Sequence, residues 1–558
     1  MSSPFASKLG TNYAPKDDEV AEIHALLVDP TRQLEHLDAE ISAVRNTLDK
    51  LTEERERLGA YVAQHKALVT PVRRVPLDIL QEIFVACLPT HRNCVMSARE
   101  APVILGRICS AWRVLSLSTP RLWTSLHVVE PTWSFNALFE AKWTQRLEIA
   151  KAWLGRSGQC LLSISLEGAN FAPYSPTPRP GQDRSVFLAA LIPFAQRWQH
   201  ISLAVAPAAL ETLAHLADSD VPMLQSIAIV QHHDYNYFQL LDWGRFGILG
   251  GARLSDFSVS GNNFRVAELP LRWHVLTALS LLGPTGVDHT AGGAMSSETA
   301  LQLISRCPAL TSCGLRLVDE LATEIYMQPS IVEHSLLDSL ELCCAGTGIA
   351  DTFQHLLGRL SLPVLRNFTL RVYSTARLDA MSQFYAPDAI QRLSRFLASS
   401  TQLRSLDIDT ATFSKELLAS ILPELPPTLQ HLGMNDMTQH SDGWGWEPPE
   451  FTGLDDDVLD VLTSAPCGST LKSLDIRYNS TISDLGFLRF ITSMMRVRPR
   501  PTLHGVNVEF SREIQLDILP ELENAIESGL EVSITYQPPI PTYFSPWHGL
   551  PDYLQVSA

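Results

Sequence analysis

The side chains of this 558-residue chain that could do chemistry are few and poorly grouped. His232-His233-Asp234 offers consecutive metal ligands, but neighbouring side chains on an extended backbone diverge, so a polar loop is the better reading. Asp455-Asp456-Asp457 could hold a cation. It stands directly before Val458, Leu459 and Leu462, where acids suit the positive end of a helix dipole. Gly283-Pro284-Thr285-Gly286 and Gly292-Gly293 lack the strand and helix that would make a phosphate cradle. No Gly-Lys-Ser/Thr, His-Glu-x-x-His or Gly-x-Ser-x-Gly run occurs. The nine cysteines include no Cys-x-x-Cys pair, and Cys343-Cys344 lies in an apolar run, as buried thiols would. The expectation is a chain that is not an enzyme and carries no cofactor or metal. Its chemistry is then recognition, and the question becomes which elements present a surface.

The stretch 71–128 is the densest in apolar helix signals. Pro76 suits a first helical turn, since it has no N–H to leave unpaired, and Asp78 places negative charge at the helix start. Leu77, Ile79, Leu80, Ile83, Phe84, Cys87 and Leu88 then cover about half the circumference, wider than the ~100° stripe of an ordinary surface helix. Pro89 ends that helix. Leu105, Ile108, Cys109, Trp112 and Leu115 fall on one face of a second helix. Thr119-Pro120 reads as an N-cap and first-turn proline for a third, short helix with Leu122 and Trp123. These helices hold more apolar surface than they can bury among themselves. Burying Leu77, Leu80, Ile83, Phe84 and Leu88 is worth about 7–15 kcal/mol gross, above the lower estimates of association cost.

Val75-Pro76-Leu77-Asp78-Ile79-Leu80-Gln81-Glu82-Ile83-Phe84 resembles the opening of an F-box, and Cys109-Ser110-Ala111-Trp112-Arg113 with Pro120-Arg121-Leu122-Trp123 resembles its closing part. The layout is similar to the F-box-like proteins found in large sets in mushroom-type fungi. The resemblance implies a three-helix F-box that docks on the Skp-type adaptor of cullin–RING ubiquitin ligases. The adaptor-binding residues it implies are Pro76, Leu77, Ile79, Leu80, Ile83, Phe84, Leu88, Cys109 and Trp112. Val75 stands where the family has leucine, and His91–Pro102 lengthens the connection between helices.

Upstream, Leu34, Leu37, Ile41, Val44, Leu48, Leu51, Leu58 and Val62 alternate spacings of three and four, with Arg55 filling one slot. The heptads have two readings: a coiled coil that makes a homodimer through 31–70, or one helix folded back on its own chain. Residues 1–30 are polar and read as a flexible tail. Val129–Gly158 reads as a helix joining two domains, with Trp133, Trp143 and Trp153 in its core.

Beyond it a phrase recurs: apolar, two residues, apolar, one residue, apolar. It is clear at Leu224–Ile229, Leu254–Val259, Leu276–Leu281, Leu310–Leu315, Leu337–Leu342, Leu365–Leu370, Leu403–Ile408, Leu429–Met434, Leu471–Ile476 and Leu503–Val508, and weaker at Leu162–Leu166 and Trp198–Leu203. Each phrase end alternates as a strand does, and helix patterns lie between, as at Thr299–Arg306, Ala389–Ala398, Lys415–Leu422 and Asp456–Ser464. The phrases resemble leucine-rich repeats, most closely from Leu471 to Asn479, where the asparagine can bond the next turn's backbone. Asn262 fills that slot in one other unit and Ala411 departs from it, so an irregular arc is expected. Inserts at Pro173–Arg184, Gly283–Ser297 and Asp436–Gly453 interrupt it.

The fold class expected is mostly α with an α/β solenoid: a tail at 1–30, a heptad helix at 31–70, the F-box at 71–128 and a helical linker at 129–159. Repeats follow at 160–536, and a proline-rich tail at 537–558. A net charge of −17 argues against a nucleic-acid partner, and no apolar run reaches membrane-spanning length. The free-cysteine pattern and the absence of a signal-peptide core in the first residues fit a cytoplasmic or nuclear address. Exposed strand positions of the repeats, Ser405, Asp407, Asp475 and Arg477, together with Ser473, Arg366 and Thr369, form the expected target-binding face. The functional expectation is a substrate-recognition subunit of an SCF-type ligase, with the Skp-type adaptor, cullin through it, and a target protein as partners. The alternative is a non-catalytic interaction scaffold that does not engage the adaptor.

Overall fold

The computed structural model describes residues 3–131, 139–168, 186–231, 241–260, 265–282, 295–318, 331–345, 355–373, 387–410, 413, 415–436, 453–496 and 502–537. The His232-His233-Asp234 run, both glycine pairs, Trp133, Asn262, Ala411, the interior of the three inserts and the C-terminal tail lie outside the described residues. The chain divides into two units, Met1–Ile83 and Phe84–Ala558.

The first unit is dominated by one helix, α1 (Asp17–Leu68). It starts where Asp17, Asp18 and Glu19 face the positive end of the dipole, and it ends near His65 and Lys66. Glu19 accepts hydrogen bonds from Lys8 Nζ at 2.9 Å, Tyr13 Oη at 2.7 Å and the Lys16 backbone N–H at 3.0 Å, tying the preceding loop to the first turn. Those bonds, Lys8 first, hold its carboxyl down at about 2. The helix runs through Pro30, so the tail expected over 1–30 is corrected to the residues before Asp17. An acidic, well-tied first turn starts the helix, and one proline does not stop it. Residues 31–66 are all exposed. A single 3₁₀ turn, Pro71–Arg74, then leads to the extended Val75, as a residue before proline prefers.

Helix α2 (Leu77–Ala86) closes the first unit and opens the second. The expected second F-box helix is two pieces, α3 (Leu105–Ile108) and α4 (Ser110–Leu117), with Cys109 extended between them at φ −155°, ψ 169°. The break has a local cause. Arg113 Nε donates to the Gly106 carbonyl at 2.7 Å, taking the acceptor that a continuous helix would offer to Ser110. The two pieces pack closely there: a Cβ on Gly106 would sit 3.2 Å from Ser116 Oγ. Thr119 does not cap the third helix; its hydroxyl donates back to the Leu115 carbonyl at 2.7 Å.

The core of the second unit is a 14-stranded sheet whose neighbouring strands all pair in parallel, in sequence order, from Ser125–Val129 to Glu531–Tyr536. Every recurring phrase supplies one strand, in register with its neighbours: Ile227 aligns with Phe257, Leu279 with Cys313, Phe368 with Leu406, and Leu432 with Leu474. These rows are buried. The entry to each strand is satisfied only by the repeat before it. The Ser255 carbonyl accepts from the N–H groups of Thr277 and Ala278, and the Arg366 carbonyl accepts from those of Arg404 and Ser405. A single repeat would leave those groups unpaired, which is why the array stabilises as a stack.

The architecture is therefore a mixed α and parallel-sheet solenoid rather than a mostly α chain. Among the described strands of this sheet, the first and the last were not among the phrases, and neither was the separate parallel pair Val332–Glu333 and Leu360–Ser361. Ser125–Val129 lies inside the stretch expected to be F-box and pairs with Leu162–Glu167. The helix after it, Phe139–Arg156, is thus the return between adjacent strands and not a linker between domains. Trp153 on that helix meets Trp123 edge to face at 4.7 Å, and both are buried. The first returns contain helices, Phe139–Arg156 and Val186–Leu191; the next are short 3₁₀ turns such as Trp243–Arg245 and Trp273–Val275, and later ones are helices again, Lys415–Ile421, Asp456–Ser464 and Asp484–Met495.

Asn479 is fully buried and does what its slot requires. Its carbonyl accepts from Thr481 N–H at 3.1 Å and Ile482 N–H at 2.8 Å, and its amide donates to the Leu454 carbonyl at 2.9 Å. The Asp455 run is a helix start: Asp455 accepts from the N–H groups of Asp457 and Val458, and Lys415 Nζ bridges Asp455 at 2.6 Å and Asp457 at 2.5 Å.

Candidate protein-binding surfaces

The first surface is built on α2. The Pro76 carbonyl accepts the Leu80 N–H at 2.9 Å, so the proline sets the first turn. Leu80 and Phe84, four residues apart on one face, are buried. Leu77, Ile79 and Ile83 are turned the other way and are 66%, 50% and 44% exposed. Phe84 packs against Trp112 with ring centroids 4.8 Å apart. Of the expected adaptor contacts, Pro76, Leu77, Ile79, Ile83 and Cys109 are open, Leu88 and Trp112 are half-buried, and Leu80 and Phe84 belong to the interior. Those last two are corrected to core residues: a helix apolar over half its circumference must bury one side in its own chain. Sequence reasoning missed Val114 and Leu117, which stand three residues apart on α4 and are exposed. Their spacing carried the signal.

The second surface is the open face of the sheet between Ser339 and Phe510. Alternate residues of each strand face away from the buried rows, and parallel register lines them up: Glu341, Thr369, Asp407, Gly433, Asp475 and Asn507 form one row. One pleat further, Cys343, Arg371, Asp409, Asn435 and Arg477 form the next. Arg371 donates to both Asp407 oxygens at 3.0 and 2.9 Å and to Asp409 at 3.1 Å. Asn435 donates to Asp409 at 2.9 Å, Asn507 donates to Asp475 at 3.1 Å, and Arg477 pairs with Asp475. Burial works against the Arg371 charge, but its two aspartates more than offset this and raise its pKa. Burial raises that of Glu341.

Ser405, Asp407, Asp475 and Arg477 lie on this one face, and Asp407 and Asp475 are already paired within it. Arg371, Asp409 and Asn435 were missed because the phrase was read as ending at Leu370, Ile408 and Met434. The alternation runs one residue longer. Gly433 leaves a gap in the row, since a Cβ there would stand 2.9 Å from the Asp407 carboxyl carbon. Acids outnumber bases on this stretch of sheet.

Arg316 is 2% exposed, and its Nε and Nη1 have no hydrogen-bond partner among the described residues. It lies opposite Cys343 in the parallel ladder. Among the described residues no group of three or more His, Cys, Asp or Glu is placed to hold a metal ion. Among them, too, no helix is long and apolar enough to cross a membrane.

No family model matches the chain, and no curated protein does. Among solved structures, it is similar to the leucine-rich repeat-containing protein LegL7 from Legionella pneumophila: 13% identity, TM-score 0.31, over 69% of this chain and 90% of that one. It is also similar to a chain of the Rad7 and Elc1 complex in yeast, with 12% identity and a TM-score of 0.33, over 71% of this chain and 85% of that one.

Proposed function

We propose that the chain is the substrate-recognition subunit of an SCF-type cullin–RING ubiquitin ligase. In this reading α2, α3 and α4 are an F-box that engages a Skp-type adaptor, and cullin through it. The sheet is an irregular leucine-rich-repeat array whose open face receives the target protein. The chain does no bond chemistry; it holds the target near a ubiquitin-charged enzyme and so raises the effective concentration of the reacting groups. The supporting observation is α2, which hides Leu80 and Phe84 and turns Leu77, Ile79 and Ile83 to solvent directly behind Val75-Pro76. Single exposed apolar residues are ordinary, but several within two turns of one helix mark an interaction site. The second reading, a scaffold that does not engage the adaptor, is favoured by the burial of Leu80 and Phe84 in the chain's own interior.

A pull-down of purified Skp-type adaptor with the full chain separates the two. The ligase subunit captures the adaptor, and Leu77→Asp with Ile83→Asp abolishes capture while leaving the thermal melt in place. A well-folded wild-type chain that captures none establishes the scaffold.

A further inference from the structure

We propose that α1 pairs with α1 of a second copy of this chain as an antiparallel two-stranded coiled coil, with Ile41 facing the partner's Val44. In the described structure residues 31–66 are exposed throughout, although α1 is 52 residues long. A lone helix of that kind draws little stability from its own hydrogen bonds; helices persist in water by burying an apolar face. The apolar seam is also longer than the heptads from Leu34 onward. Because the helix begins at Asp17, Val20, Ile23 and Leu27 continue the same spacing of three and four. Seam side chains such as Leu34 and Leu48 are 62% and 61% exposed.

The seam is complementary to itself when reversed. With the two helices overlapping fully, Leu34 meets the partner's Leu51 and Leu37 meets the partner's Leu48. Arg55, the one charge in the seam, falls opposite the partner's Pro30. On the flank Asp38 faces the partner's Arg45, and Asp17 faces the partner's Lys66, each pair formed twice by the two-fold axis. No like charges meet along either flank. A parallel pair would instead set Arg55 against the partner's Arg55 and His65 against the partner's His65, each in the seam. The seam thus fits a second, reversed copy, in which Arg55 and His65 each face an uncharged residue of the partner, Pro30 and Val20.

The test uses the full chain. Light scattering or sedimentation should return twice the 61.8 kDa chain mass. Ile41→Asp with Leu48→Asp should shift it to one chain mass, with the melt of the rest unchanged, since both residues are exposed in the single chain. For direction, copies carrying Leu34→Cys are co-expressed with copies carrying Leu51→Cys, then oxidised and mapped by mass spectrometry. An antiparallel pair gives a disulfide between the 34 and 51 positions. In a parallel pair those positions lie about 25 Å apart, and only like positions crosslink. A monomeric wild type, a dimer indifferent to the aspartates, or crosslinks only between like positions would each overturn the proposal.

Discussion

Asn479 and Asp436 sit on neighbouring repeats, 43 residues apart in sequence, and are joined inside the array by a 2.8 Å hydrogen bond from the asparagine amide to the carboxyl. Thr410 donates to the other carboxyl oxygen at 3.2 Å. Neither donor is a cation, and Asp436 is 3% exposed. Burial therefore dominates, and it pushes the Asp436 pKa up to about 7 against the two hydrogen bonds.

Asp436 makes the stability of the array depend on pH in an unusual direction. The folded chain holds a proton that the unfolded chain has released above a pKa of about 4. The contribution is full below that value and is lost as pH rises through 7, by an amount on the order of a few kcal/mol. Glu298, held low by Arg359, and Asp484, where burial is outweighed by Arg512 and the Leu516 and Gln515 N–H groups, work in the opposite sense at acid pH. The comparison to make is therefore wild type against Asp436→Asn. The variant should gain stability relative to wild type as pH goes from 5 to 8 in paired calorimetric melts; a constant difference would refute a buried, proton-holding carboxyl.

The two faces of α2 should respond differently to substitution. Phe84→Ala removes a fully buried ring packed at a tilt against Trp112 and is expected to cost about 3–5 kcal/mol. Leu77→Asp changes an exposed side chain and should stay within ~0.5 kcal/mol. Denaturant unfolding of the two variants checks this. Equal losses would mean that Leu77 is covered in solution.

Arg316 places a guanidinium in the interior, and two of its nitrogens have no partner among the described residues. Arg316→Met keeps much of the volume and removes the charge, so the array should become more stable by about 1–3 kcal/mol. A lower melting temperature would show that the guanidinium is paired in solution.

Arg371 joins strands 36 residues apart through Asp407 and reaches the buried Asp409 as well. Arg371→Met takes both bonds from the Asp407 carboxylate and one donor from Asp409, which keeps the Asn435 amide, and should cost about 1–3 kcal/mol. Arg371→Lys should recover only part of this, because an ammonium cannot bond Asp407 bidentately. Full recovery with lysine would mean that charge alone matters there.

The strand positions were legible because the phrase is local. Alternation over a few residues fixes which side chains go inward, and a neighbouring copy of the phrase supplies the sheet. The first strand follows Trp123 inside the stretch read as F-box, and the last has Gly529 where the phrase has an apolar residue, so both were missed. The α3–α4 break could not be read from periodicity, since the apolar spacing continues through Cys109 while the backbone there turns extended and Arg113 holds the Gly106 carbonyl. The heptads carried more than their apolar spacing, because α1 begins earlier than a polar stretch suggested.

Residue order alone set twelve of the fourteen strands of the sheet, the inward side of each and the apolar faces of the helices, because each follows from side-chain periodicity over a few neighbours. Which part of an apolar face turns inward followed only from folding. Leu80 and Phe84 are hidden while Leu77, Ile79 and Ile83 are open, and Asp407 is neutralised by Arg371 from another strand. Burial and charge pairing depend on what lies nearby in space, and parallel stacking brings together residues tens of positions apart in the chain.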